Sequence, residues 1–223
     1  MRGGESMNRK FNSYIPVMVL FFLLSQNGSF SAGKEIKLLK PDRTGGIPVM
    51  AALNKRESSR SFSAKKIPDQ VLSNILWAAY GVNRPGSGKR TAPSAMNKQE
   101  IDVFAALDNG LYKYNADRHS LELVAAKDLR SLTGLQDFVK DAPLTMIYVA
   151  DMSSVAGETR DDKLLMAGAD TGFIGENVYL YCASEGLAVV IRGYIDKGAL
   201  GKAMNLKEHQ MIILAQTVGY PDK

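Results

Sequence analysis

Ile101-Asp102-Val103-Phe104-Ala105-Ala106-Leu107-Asp108-Asn109-Gly110-Leu111-Tyr112-Lys113-Tyr114 decides the fold class. Ile101 to Leu107 reads as a strand, Asn109-Gly110 is a turn dipeptide that tolerates the positive φ of a tight hairpin, and Leu111 to Tyr114 reads as the returning strand. Outward from this hairpin, Leu121 to Val124 predicts a further short strand. On the N-terminal side, Pro68-Asp69 opens a segment with apolar residues at 71, 72, 75, 76 and 79, which predicts a helix ending at Gly81. Residues 82 to 99 fill with Gly, Pro, Ser, Asn and Arg and read as a long loop of the kind that often carries function. Beyond the hairpin, Asp128 is expected to cap a helix through about Val139, and Pro143 to Ala150 to form an apolar strand. A long helix is expected from about Asp162 to Ser184, stopped at Gly186. Leu187 to Ile191 reads as a buried strand, Asp196 to Met204 as a short helix, and Met211 to Val218 as a last strand that ends at Gly219-Tyr220-Pro221. Helices and strands mix without strict alternation, so the expected class is α+β rather than a doubly wound α/β sheet.

At 223 residues with 45% hydrophobic content, the chain can bury one substantial core. Of its formal charge of +5, residues 1–31 hold Arg2, Arg9 and Lys10 against Glu5. No Lys/Arg block follows, so nucleic-acid binding has little electrostatic support. Residues 1–31 read as a signal peptide: Asn8-Arg9-Lys10 is its basic start, Tyr14 to Leu24 an apolar run, and Ser29-Phe30-Ser31 a small-residue cleavage site. That run falls well short of the roughly 20 residues a membrane span needs. The chain is thus expected to be exported, periplasmic or secreted, without a stable membrane span after processing. A lead segment over residues 32–47 would precede one domain over 48–223. Cys182, the sole cysteine, lies in the apolar stretch Val178 to Ala183 and reads as a packed small hydrophobe.

Three stretches carry potential chemistry. In Arg56-Glu57-Ser58-Ser59-Arg60-Ser61-Phe62, an extended backbone would aim Arg56, Ser58 and Arg60 to one side, and two guanidiniums with a hydroxyl suit a phosphate. Alone, a solvated basic turn accounts for the segment better. In Thr91-Ala92-Pro93-Ser94-Ala95-Met96-Asn97-Lys98-Gln99, small residues allow close backbone approach, and the amides of Asn97 and Gln99 both donate and accept, as a pyrimidine edge requires. In Gly186 to Tyr194, an apolar strand ends at Gly193, where backbone amides could face a ligand. By itself, the second is better read as an ordinary loop leading into the strand at Ile101, and the third can be read as a plain strand-to-helix turn.

These stretches in this order, with the helix containing Asn177-Val178-Tyr179-Leu180 and the terminal Gly219-Tyr220-Pro221, resemble the FMN-dependent nitroreductase family over roughly residues 48–221. Leu76-Trp77-Ala78-Ala79-Tyr80-Gly81 followed by Arg90-Thr91-Ala92-Pro93-Ser94 is similar to the branch of thiazoline-oxidising dehydrogenases. Asn97-Lys98-Gln99 pulls towards the general nitroreductase pattern instead. The resemblance implies an α+β fold with a central mixed or antiparallel sheet flanked by helices, and a homodimer with FMN between the subunits. It implies that Arg56, Ser58 and Arg60 hold the FMN phosphate, ribityl and pyrimidine side. Pro93, Ser94, Ala95 and Asn97 would line the isoalloxazine edge with Gln99 close by, and Ile191, Arg192 and Gly193 would sit near flavin N5 through backbone amides. Many members continue into a basic segment that helps hold the phosphate, and Lys223 is the residue here that could take its place. The flavin, not a side-chain triad, would carry the chemistry, so no catalytic side chain and no metal is expected.

Competing motifs fail on spacing. Arg84-Pro85-Gly86-Ser87-Gly88-Lys89-Arg90-Thr91 has Asn83 and Arg90 where a phosphate-binding P-loop needs Gly and Ser or Thr. Gly168 to Gly175 lacks the dinucleotide spacing, and its small residues suit close helix packing. His119 reads as a turn residue and His209 as a surface one. The expected function is electron transfer through FMN N5, from NAD(P)H or, given export, a non-nicotinamide donor, to nitro compounds or quinones. The alternatives are an exported flavin dehydrogenase and a flavin-binding protein without turnover.

Overall fold

The computed structural model describes Met1 and residues 35–222, so the expected signal peptide over residues 1–31 and Lys223 lie outside the described residues. In chain order the elements are β1 (Glu35–Lys37), α1 (Val49–Lys55), β2 (Phe62–Ser63), α2 (Asp69–Tyr80), β3 (Val82–Arg84), β4 (Lys89–Arg90), β5 (Ile101–Leu107), β6 (Gly110–Asn115), β7 (Ser120–Ala125), β8 (Leu144–Asp151), α3 (Arg160–Glu185), β9 (Ala188–Arg192), α4 (Lys197–Ala203) and β10 (Gln210–Pro221). Eight strands form one sheet in the order β1-β7-β6-β5-β8-β10-β2, with β9 also paired to β10; β3 and β4 form a separate hairpin. Every pairing is antiparallel. The class is α+β, as the hairpin predicts, and β5 and β6 meet across it with Ala105 opposite Tyr112.

The sheet is covered on both faces, which explains why β8 is largely apolar along its length, with only Thr145 polar before Asp151, instead of alternating. From Leu144 to Ala150 every residue of β8 is buried. Met146 and Tyr148 pack with Ile75 and Leu76 of α2 and Ile174 and Val178 of α3. Ile147 and Val149 face the other way, onto Leu200 and Met204 at the end of α4 and onto Leu129. Cys182 is fully buried in the first cluster, and burial pushes its thiol well above the ordinary range, which makes it inert packing.

α3 is the element the sequence marks most clearly. Thr159 accepts from the Asp162 N–H at 3.1 Å while the Asp162 carboxylate accepts from the Thr159 N–H at 3.0 Å, a capping box that satisfies donors at the helix start. Gly186 ends the helix in the left-handed region at φ 67°, where glycine carries no Cβ penalty. Among the described residues, no helix is long and apolar enough to cross a membrane.

The structure departs from expectation at residues 128–139, which form two short 3-10 turns, Arg130–Leu132 and Asp137–Val139, in place of a helix. Asp128 is spent locally, accepting from the Arg130 N–H at 2.9 Å and pairing with the Arg130 guanidinium at 2.7 Å. The Thr133 carbonyl, which a helix would need, instead accepts from the buried Arg192 guanidinium. The stretch 82–99 is also more ordered than a plain loop, since it contains the β3–β4 hairpin. α1, β1 and β2 follow from no sequence signal: two- and three-residue strands are too short to show a period, and α1 has no capping side chain.

Candidate functional site

Tyr179 of α3 ties together two of the three stretches. Its hydroxyl lies 2.8 Å from Ser58 Oγ and accepts from the Ile191 N–H at 2.9 Å, while the Arg56 guanidinium stacks 5.4 Å above its ring. The next residue, Ser59, donates its N–H to the Val189 carbonyl at 2.9 Å, so the segment runs against β9. Arg56 and Ser58 thus share a side, as an extended reading requires. Arg60 is exposed, and among the described residues neither Arg56 nor Arg60 has a carboxylate partner. An uncompensated guanidinium beside a hydroxyl, with a second arginine two residues further along the chain, is a donor set for an oxyanion. Tyr179 is the residue sequence reasoning missed; its stretch carries the family resemblance, but nothing in the spacing announces a hydroxyl bridging two distant segments.

The second stretch is held in a strained conformation. Met96, Asn97 and Gln99 adopt φ of 54°, 54° and 52°, left-handed values that cost a non-glycine residue on the order of 1 kcal/mol or more. The strain is sustained by hydrogen bonds: Ser94 Oγ accepts from the Gln99 N–H at 2.9 Å, and the Ala95 N–H donates to Asp170 Oδ2 of α3 at 2.9 Å. The Gln99 side chain is spent inside the loop, accepting from Arg90 Nε at 2.8 Å and donating to the Gly88 carbonyl at 3.2 Å. It also donates to Asn97 Oδ1 at 3.3 Å, which leaves the Asn97 amide nitrogen free on an exposed residue. Pro93 and Met96 are exposed, and Ser94 and Ala95 half-buried. Gln99 therefore shapes the loop and Asn97 presents its edge.

Behind this loop lies a buried polar cluster. Glu100 has both carboxylate oxygens without a hydrogen-bond partner among the described residues, and burial together with neighbouring Asp170 pushes its carboxyl up to about 7. Tyr80, over whose ring Arg90 stacks at 4.7 Å, faces the same cluster.

In the third stretch the strand alternation separates the residues. Ile191 faces α3, where Gly175 leaves room for it: a Cβ at Gly175 would come within 2.6 Å of Ile191 Cδ1. The Arg192 side chain points to the opposite face, donating to the Thr133 carbonyl and to Thr217 Oγ1 at 2.7 Å. Desolvation there pulls its guanidinium down to about 10. Arg192 can therefore offer a ligand only its backbone, while Gly193 and Tyr194 are exposed beyond the strand end.

Two open volumes adjoin these stretches. One of about 580 Å³ is lined by Met96, Lys98, Lys163 and residues 153–157, beside the strained loop. The other, about 680 Å³, sits on the Lys55, Glu57 and Ser59 side, reaching Glu185 and Gly186. Its charged lining is Lys55 against Glu57 and Glu185, a balance that disfavours an anion, so the oxyanion donor set on the Arg56 side is the stronger chemical indication.

The model of the Nitroreductase family matches residues 53–220 of the chain. A protein of Methanocaldococcus jannaschii whose name places it among nitroreductases is 27% identical over 178 residues, spanning 75% of this chain and 89% of that protein. A crystal structure from Ralstonia eutropha JMP134, again named for nitroreductase, superposes with a TM-score of 0.81 at 44% identity, covering 86% of this chain and 92% of its own. A Desulfovibrio desulfuricans structure described as a nitroreductase in complex with FMN shares the fold at TM-score 0.58 and 19% identity, over 80% of this chain and 89% of that one. With its α+β sheet and a family model that matches most of its length, the chain belongs to the Nitroreductase family.

Proposed function

We propose that the chain is an FMN-dependent oxidoreductase. The observation that carries this reading is the convergence of Arg56, Ser58 and Ile191 on Tyr179, next to the uncompensated Arg60, within a chain of this family. Arg56 and Arg60 would hold the phosphate as charge-assisted donors, with the Ser58 hydroxyl beside them. The strained loop would present Pro93, Ser94, Ala95 and the free Asn97 amide to the ring edge, with Gln99 keeping the loop in shape. The Ile191–Gly193 backbone would approach N5. When bound, the flavin supplies two-electron chemistry at N5; the protein's part is to position it and to set the electrostatics around it.

The reading includes a homodimer. Leu165 and Phe173 on α3 are 66% and 48% exposed, and at Gly168 and Gly172 an added Cβ would meet open space, so α3 presents an apolar, small-residue face suited to a second copy. It also includes export through residues 1–31, with a small-molecule donor that is NAD(P)H only if the mature protein meets it. The test is direct. Purified protein should show a flavin visible spectrum, or gain one on adding FMN, and Arg56→Ala/Arg60→Ala should weaken FMN binding by about tenfold or more. A chain that neither carries nor takes up FMN ends the proposal. Anaerobic mixing with NADPH, reading loss of flavin absorbance, tests the donor separately.

A further inference from the structure

Trp77, the chain's single tryptophan, floors a pocket of about 390 Å³ that contains none of the residues assigned to the flavin. Its ring is fixed from three sides. Nε1–H donates to the Val82 carbonyl at 3.3 Å, the Arg43 guanidinium lies 5.8 Å from the ring centroid, and any side chain at Gly81 would collide with the ring. Val82 and Pro85 extend the apolar floor.

The wall opposite belongs to the segment before α1 and is fastened to α2. The Leu39 carbonyl accepts from Ser73 Oγ at 2.6 Å, the Lys40 carbonyl accepts from Gln70 Nε2 at 3.0 Å, and the Asp42 N–H donates to Asn74 Oδ1 at 2.9 Å. This wall brings Lys37, Lys40 and Arg43 to the rim, and none of them has a carboxylate partner among the described residues. The other charges there are accounted for. Arg118 is paired with Glu35 at 3.1 Å and with Glu122, and Asp117 is an exposed acid 3.8 Å from Arg90. His119 has Tyr114 on Nδ1 at 2.8 Å and Ser73 and the Leu39 carbonyl on Nε2, so its ring is part of the wall.

An aromatic floor of fixed orientation beneath three uncompensated cations is complementary to a flat apolar body that carries an anion. The volume lies in the range of small-molecule sites. We propose that this pocket is a second ligand site, separate from the flavin, and that it takes a planar aromatic carboxylate.

With a single tryptophan in the chain, selective excitation at constant flavin content reads this pocket. Purified full-length chain is titrated at constant ionic strength with phenylacetate, with phenylacetamide, and with inorganic phosphate. A saturable change in Trp77 emission is expected with phenylacetate, with apparent affinities about tenfold or more weaker for the uncharged amide and the ringless anion. Lys37→Ala/Lys40→Ala leaves Arg43 on the ring and should weaken the phenylacetate response about tenfold at an unchanged unfolding midpoint. Arg56→Ala should leave the response as it is. No saturable response, a response equal for amide or phosphate, or one indifferent to the double substitution overturns the proposal. Every protein is brought to the same FMN content before titration, because a flavin quenches tryptophan emission and a change in its occupancy would alter the signal by itself; the outcomes then separate failure of this pocket from failure of the flavin reading.

Discussion

Glu100 is the residue whose chemistry is least expected from its neighbours in sequence. It is 5% exposed, faces Asp170 of α3, Tyr80 of α2 and the Arg90 side of the loop, and accepts no hydrogen bond from any of them among the described residues. Its carboxyl is raised to about 7 from an ordinary 4.5, so the folded state binds the proton more tightly than the unfolded chain does. The contribution of the neutral form is full below about 4.5 and is lost as pH rises through about 7. Glu100→Gln removes that dependence. Thermal unfolding should give the two proteins similar midpoints in mild acid and place the Gln variant several degrees higher at about pH 8. A wild-type midpoint that rises in parallel with the variant over this range would mean the carboxyl is already charged. Residues such as Glu100 and Tyr179 show where sequence reading runs out at this scale. Arg56 and Ser58 were legible because alternation along one strand-like stretch places them together, whereas their shared partner lies on a helix more than a hundred residues away.

At the scale of elements, α2, α3, β5 and β8 were legible because each carries its own signal: helical apolar spacing, a terminal glycine, a strand-like run closed by the Asn109-Gly110 turn, or a largely apolar run; the capping box that starts α3 was not read. The failure at residues 128–139 has a physical cause outside the segment, the buried Arg192. Gly134 makes that arrangement possible, since a Cβ there would run into the guanidinium. Gly134→Ala should displace Arg192 from the Thr133 carbonyl and leave a buried charge short of a partner, costing about 2 kcal/mol or more in denaturant unfolding. In an Arg192→Met background the same substitution should cost less than half as much, because the group it collides with has gone. Equal costs in both backgrounds would detach Gly134 from Arg192. The same arginine ties the Ile191–Gly193 end to β10 through Thr217.

The whole molecule is a sheet covered on both faces, with a helix, α3, that still presents Leu165 and Phe173 outwards. Under the proposed flavin-binding homodimer, Phe173→Asp together with Leu165→Asp should leave a folded chain that elutes at monomer size and retains less flavin than the wild type. Unchanged dimer elution with full flavin content would remove α3 from the interface. The strand β10 sets a different constraint on the molecule. It lies inside the sheet, hydrogen-bonded to β8 along residues 210–218, to β9 along 215–219 and to β2 at 220–221, yet it follows all of them in the chain. While the chain is being made, β8 and β9 therefore each wait with an open edge for a partner that emerges after them. Assembly is dominated by pairings between residues far apart in sequence, which slows folding and lengthens the time those edges stay exposed. Under the proposal that residues 1–31 direct export, such a delay is also the interval in which the chain can still be threaded through a membrane pore unfolded.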